Sequence, residues 1–145
     1  MLAGDSVNHR ILLFTTEGAF LRSWGSAASL GDPYGIASSY SGHVFVTDCY
    51  ADRVRVFQPD GTLVRSWGSR GAAPGQFISP RGIAVSALGE VFVGDGDNAR
   101  IQVFGENGTF RRQFAAPSGN LNVAVAPNGD VLVSAKESHS VTLYQ

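Results

Sequence analysis

The stretches Val44-Phe45-Val46-Thr47-Asp48, Arg53-Val54-Arg55-Val56-Phe57, Asp60-Gly61 and Ser66-Trp67-Gly68 form a phrase that the rest of the chain repeats. A period in the range of roughly 20–50 residues constrains a fold more than composition does, because each copy is one unit of a stacked array. Anchored on Asp48, the phrase recurs at Asp5, Asp95 and Ala135, at spacings of 43, 47 and 40 residues. Five places after each anchor stand Arg10, Arg53, Arg100 and Ser140. Nine places after stand Phe14, Phe57, Phe104 and Tyr144, and nineteen places after stand Trp24, Trp67 and Phe114.

Each complete copy parses into four short strands, a to d. In the second copy these fall at 34–38, 44–48, 53–57 and 63–67, and in the third at 81–85, 91–95, 100–104 and 110–114. The first copy has only b, c and d; the fourth, from Leu121, has only a, b and c. Strand c carries its apolar residues at alternate positions: Ile11 and Leu13, Val54 and Val56, Ile101 and Val103, Val141 and Leu143. That is the period of an extended strand. Glu17-Gly18, Asp60-Gly61 and Asn107-Gly108 mark c–d turns, and Asn128-Gly129 an a–b turn. Such dipeptides predict two-residue hairpins with positive φ at both central positions. Hairpins between successive strands force antiparallel pairing and exclude a parallel β-helix. No segment has helical periodicity. Strand b is apolar on both faces, as a sheet sandwiched between two others must be. The expected fold is all-β: four-stranded antiparallel blades fanned about an axis as a β-propeller.

The phrase Pro80-Arg81-Gly82-Ile83-Ala84-Val85, then Gly89-Glu90-Val91-Phe92-Val93-Gly94-Asp95, then Asn98-Ala99-Arg100-Ile101-Gln102-Val103-Phe104 resembles an NHL repeat. In the first copy, Asn8-His9-Arg10-Ile11 carries the name-giving Asn-His and its following Arg. The resemblance spans the chain, residues 1–145, as one propeller segment with blades near 1–25 (partial), 33–68, 80–115 and 120–145 (partial). The fourth copy departs most, with Ala135, His139 and Ser140 in place of the Asp, its loop residue and the Arg. The resemblance implies a propeller of the six-bladed kind. Fold alone does not choose among the uses of such a propeller. They include protein-binding scaffold, RNA-binding and sensor domains and, in some relatives, lyases or lactonases.

Three and a half copies make fourteen strands, fewer than the smallest rings of ~4 full blades require. The expectation is an open arc. Its end sheets would expose apolar faces and unpaired edges. It is therefore expected to be a fragment of a longer propeller or to self-associate.

The net charge of −1 and pI near 6.3 give no overall attraction to nucleic acid or anionic membrane. Cys49 is alone, which excludes a disulfide framework and a cysteine metal cluster. With no signal-peptide pattern at the N-terminus, the expected compartment is the cytoplasm.

The Asp/Arg pairs are expected to be structural: Asp5 with Arg10, Asp48 with Arg53 and Asp95 with Arg100, each fixing its b–c loop. Ala135 and Ser140 lose both members together, as expected where one unpaired half-buried charge costs more than none. Trp24, Trp67 and Phe114, with the strand-c rings, are expected between blades. His9 and His139 share one repeat position and, with His43, show no converging ligand set, so neither a metal nor another cofactor is expected. The informative positions vary while the frame repeats. Tyr34, Arg81 and Leu121 precede the strand-a Gly or Asn122, and the resemblance puts them at the channel mouth with Tyr50, Asp97 and Arg70. Aromatic and Arg residues anchor interfaces. The leading expectation is a non-catalytic module that binds a protein or peptide through this loop face. The alternatives are an RNA-binding domain, with Tyr stacking on bases and Arg81 or Arg70 on phosphate, or a fragment of an amidating-lyase-like or lactonase-like enzyme.

Overall fold

The computed structural model of the chain describes residues 1–145. It contains fourteen strands in four antiparallel sheets and one 3-10 turn, Gly96–Asn98. The first sheet is β1 (Leu2–Asp5), β2 (Arg10–Phe14) and β3 (Phe20–Trp24). The second is β4 (Pro33–Ser38), β5 (Val44–Asp48), β6 (Arg53–Phe57) and β7 (Leu63–Trp67). The third is β8 (Ile83–Val85), β9 (Glu90–Asp95), β10 (Arg100–Gly105) and β11 (Phe110–Ala115). The fourth is β12 (Leu121–Val125), β13 (Val131–Ala135) and β14 (Ser140–Tyr144). Neighbours in sequence are neighbours in every sheet. Each sheet is a blade, the first without strand a and the last without strand d.

The turns differ from the expected two-residue hairpins. In the first blade Thr15 N–H donates to Ala19 C=O at 2.8 Å and Gly18 N–H to Thr15 C=O at 3.2 Å, so three residues link the paired positions. Only the glycine has positive φ: 87° at Gly18, 91° at Gly61 and 86° at Gly108. The register slips beside each turn, between Leu13 and Phe14, Val56 and Phe57, and Val103 and Phe104. A type I turn closed by a left-handed glycine makes this bulge, which spares the preceding Glu, Asp or Asn from φ > 0.

Three apolar cores lie between the four sheets. Ile11 and the loop residue Leu30 meet Val44, Val46 and Phe57. Phe45, Val54 and Val56 meet Phe77, Ile83, Val91, Val93 and Phe104. Phe92, Ile101 and Val103 meet Leu121, Val131, Val133 and Ala135. Alternate residues of one strand thus serve two cores: Phe45 points forward and Val46 back. The expected interblade aromatic packing holds. Trp24 lies 6.5 Å from Phe57, Trp67 5.7 Å from Phe104, and Phe114 4.8 Å from Tyr144 between ring centroids. Leu30 and Phe77, fully buried, come from the d–a loops and plug the first two junctions.

The inner strands come close enough to require glycine. A Cβ on Gly35 would sit 2.2 Å from the Arg81 carbonyl oxygen, and one on Gly82 2.6 Å from Asn122 Cα. Asn122 holds the corresponding place on the end blade, on the face that meets no further sheet. On that face Leu132, Val141 and Leu143 are 38%, 70% and 52% exposed, whereas Phe92, Ile101 and Val103, their equivalents one blade earlier, are 0–2% exposed. The arc therefore ends in an uncovered apolar sheet, as expected.

Candidate functional site

Strand b ends and strand a begins on the same face of the arc, so the b–c and d–a loops gather there. Each b–c loop holds one non-glycine residue in the left-handed region: His9 (φ 54°), Asp52 (50°), Ala99 (52°) and His139 (49°). Asp and His tolerate that conformation better than most residues, which accounts for two histidines at a shared position without a metal. Across the chain no three His, Cys, Asp or Glu side chains converge.

Beneath this face the anchor aspartates hold the loops. Asp48, fully buried, accepts from the amides of Gly31 (3.0 Å), Asp32 (3.0 Å) and Ala51 (3.2 Å). Burial, the largest influence on its carboxyl, pushes the pKa up. The Gly31 and Asp32 amides and the Arg55 guanidinium together outweigh it and leave it below the ordinary value. The guanidinium on Asp48 is that of Arg55, at 2.9 Å, and not that of Arg53, which donates to the Ala51 carbonyl at 3.3 Å. Arg53 sits directly across the ladder from Asp48, and Arg55, two residues on, shares its face, so both guanidiniums are on the side of the carboxylate and Arg55 is the one that bonds it. The five-apart pairs do form in the neighbouring blades, Asp5–Arg10 at 2.8 Å and Asp95–Arg100 at 2.7 Å. Asp95 also accepts from Ile78 N–H, Asn98 Nδ2 and Gln102 Nε2. In the fourth blade, where Ala135 lacks the carboxylate, Glu137 supplies one: its Oε2 accepts from Asn120 N–H at 2.5 Å. That amide is the main reason the Glu137 carboxyl lies below its ordinary pKa.

The variable residues are distributed as follows. Tyr34 is 43% exposed and Tyr50 86%. Asp97 is exposed, and Arg70 is exposed while bonding Asp52 at 3.2 Å. Arg81 is half-buried with its guanidinium 5.8 Å from the Tyr34 ring centroid, a cation–π distance. It forms no salt bridge of its own. Leu121 contradicts the expectation: it is fully buried in the third core and presents nothing to the face. Strand a of the last blade pairs in regular register, Leu121 with Ala135, and turns this residue into the third core with Phe92 and Ile101, whereas in the second blade the register slips between Pro33 and Ile36, where Tyr34 stands.

Sequence reasoning missed Asn120. Its Nδ2 donates to the Tyr34 hydroxyl at 2.7 Å, a bond from the fourth blade to the second, while its Oδ1 is buried without a partner. The signal was present: Pro33 and Pro80 precede strand a in the complete copies, and Asn120 replaces them in the last. Tyr34, Asn120, Asn122, Lys136, His139 and Val141 line an open groove of about 540 Å³. Cys49 lies near Arg81 and Ser79; burial raises its thiol pKa.

The NHL repeat family model matches residues 77–104, from the Phe77 plug through β10. That stretch is an NHL repeat. It contains the buried Asp95–Arg100 pair and the interblade residues Val91, Val93 and Phe104 described above. Solved structures show the architecture around it. Virginiamycin B lyase from Staphylococcus aureus superposes with a TM-score of 0.73 at 13% identity, over 99% of this chain and 51% of that one. A streptogramin B lyase gives 0.70 at 15% identity, over 97% and 49%. The WD40 β-propeller domain of Doa1 gives 0.68 at 14% identity, over 97% and 48%. The chain spans about half the length of each. It is a partial β-propeller containing an NHL repeat. No curated protein matches it by sequence.

Proposed function

We propose that this partial propeller is a non-catalytic binding module that engages a protein or peptide through its b–c and d–a loop face. The observation that carries the reading is the contrast between frame and variable positions there. The anchor carboxylates Asp48 and Asp95 are buried and fully engaged in holding loops. Tyr34, Tyr50 and Arg81 are accessible on the same face, and Arg81 is in no salt bridge. Tyrosine gives a large contact area with one polar tip, and an unpaired guanidinium offers planar donors to a carboxylate or a backbone carbonyl. The groove beside Asn120 is wide enough for one or two side chains.

A random peptide library selected on the wild-type chain tests this. Enriched peptides should lose affinity for the Tyr34→Ala/Arg81→Ala double variant by tenfold or more, about 1.4 kcal/mol. Peptides that bind the double variant as tightly as the wild type would overturn the assignment of this face. An RNA ligand would announce itself by affinity falling steeply with salt.

A further inference from the structure

The first two junctions between blades are crossed by d–a loops of different length. The plug Phe77 follows Trp67 by ten positions, whereas Leu30 follows Trp24 by six. The longer loop carries Arg70, whose guanidinium reaches the b–c loop of the second blade and donates to Asp52 at 3.2 Å. Asp52 also accepts the Ser79 amide at 2.7 Å. A cation from within the chain thus occupies that corner. The shorter loop, Gly25-Ser26-Ala27-Ala28-Ser29-Leu30-Gly31-Asp32, has no basic residue to do the same.

In its place lies an open cavity of about 350 Å³ between the first and second blades, lined by Ser6, His9, Ala27, Gly31, Asp32 and Tyr50. The two b–c loops meet at Gly31. From the first blade His9, at the repeat position of Asp52, turns Nδ1 to the Gly31 carbonyl. From the second blade Tyr50 lies against the Gly31 α-carbon, where an added Cβ would come 3.4 Å from Tyr50 Cβ and 2.8 Å from Asp48 Oδ1. The Asp32 backbone is held on both sides: its N–H donates to Asp48 at 3.0 Å and its C=O accepts the Cys49 N–H at 2.9 Å. Its half-buried carboxylate enters no salt bridge within the chain. A carbonyl only accepts, so His9 Nδ1 carries the hydrogen, and in the neutral ring Nε2 is left as an acceptor. A carboxylate, an imidazole nitrogen and the face of a tyrosine ring all favour positive charge. None of the lining residues is a lysine or an arginine.

We propose that this pocket binds the ammonium of a lysine side chain on the partner peptide, in the place that Arg70 fills at the next junction. Acceptors offered singly by three different loops suit the three tetrahedral donors of an ammonium, whereas a guanidinium fork calls for two coplanar oxygens. Tyr50, 86% exposed, gives its ring to the charge and to the methylene stem. The proposal rests on the loop face being a peptide-binding surface and adds the chemistry of one side chain. The face then reads opposite signs at two places, a base in this pocket and an acceptor at Arg81.

The probe is acetyl-Ala-Lys-Ala-amide, titrated into the whole chain at low salt and followed by backbone amide NMR. The expected result is saturable shifts at millimolar peptide, centred on Ser6, His9, Gly31, Asp32 and Tyr50. The same tripeptide with norleucine for lysine keeps the stem, needs no altered protein and should produce none of them. Asp32→Asn should weaken lysine binding about fivefold, the worth of one accessible ion pair. Equal shifts from norleucine and lysine, tighter binding of the arginine tripeptide, unchanged affinity in Asp32→Asn, or shifts lying elsewhere would overturn the proposal. Library peptides that depend on Tyr34 and Arg81 while the lysine tripeptide fails to bind would overturn it alone. A tripeptide bound here when no library peptide is enriched would uphold it, and only the wider peptide-binding reading would fall.

Discussion

Asp95 and Asp5 make the same bond to an arginine five residues on, but Asp95 is covered by the d–a loop and bonded by Gln102 while Asp5 has neither, and this permits a comparison of what burial does to the pair. Replacing Asp95 with Ala removes the acceptor for Ile78 N–H, Asn98 Nδ2, Arg100 Nε and Gln102 Nε2 at once. It also leaves a guanidinium only 9% exposed without its counter-charge. Stranding one member of a buried pair costs about 3–5 kcal/mol. Exposed pairs contribute about 0–1 kcal/mol, and Asp5→Ala should fall there. Urea unfolding followed by tryptophan emission is the assay, since Trp24 reports the first junction and Trp67 the second. With a slope of about 1–3 kcal/mol per molar urea, Asp95→Ala should move the midpoint down by roughly 2 M. Asp5→Ala should shift it by less than about 0.5 M. The double variant Asp95→Ala/Arg100→Met should regain part of the loss, because it removes the stranded charge. Equal costs for the two aspartates, or an Asp95→Ala cost below about 1 kcal/mol, would refute the claim that loop coverage sets the worth of this pair.

Three further outcomes follow from the same geometry. Asp48 has a folded-state pKa below its unfolded value of about 3.9, so its stabilisation is present above that value and lost as pH falls through the folded pKa. Acid unfolding curves should steepen below about pH 4 and be blunted by Asp48→Asn. Gly35→Ala places a methyl against the Arg81 carbonyl and should lower the melting temperature by several degrees more than Gly129→Ala, where only φ is strained and no atom lies within 4 Å. The half-buried Cys49 thiol has its pKa raised, so its reaction with a disulfide reagent should set in at higher pH than that of a free cysteine, and a rate profile matching free cysteine would contradict this placement.

The frame was legible because period-two alternation and glycine-marked turns act locally. Strands at 44–48, 53–57 and 63–67 lie where the residues alone put them. What was not legible depends on which side of a sheet a neighbour stands. Arg53 and Arg55, two apart on one strand, share a face, so the spacing alone does not say which of them reaches Asp48, and it is Arg55 that does. Leu30 and Phe77 sit in segments that read as loop, yet they are among the most buried residues, since a loop folded over a sandwich rim can end inside it. Leu121 was misplaced for the reverse reason: its repeat position is exposed as Tyr34 in the second blade and turns inward in the last. Glu137 took over from a missing aspartate two residues earlier, a substitution of function between positions that alignment by spacing hides.

Asn122 has a bearing on assembly. Wherever two blades meet along the axis, a hydrogen atom stands where a side chain would foul the adjoining backbone. At the terminal sheet a carboxamide fills that gap. A fifth blade could not nest at the pitch of the other four without that group swinging aside. A sheet laid over Leu132, Val141 and Leu143 would meet that carboxamide before it reached the spacing of the other junctions.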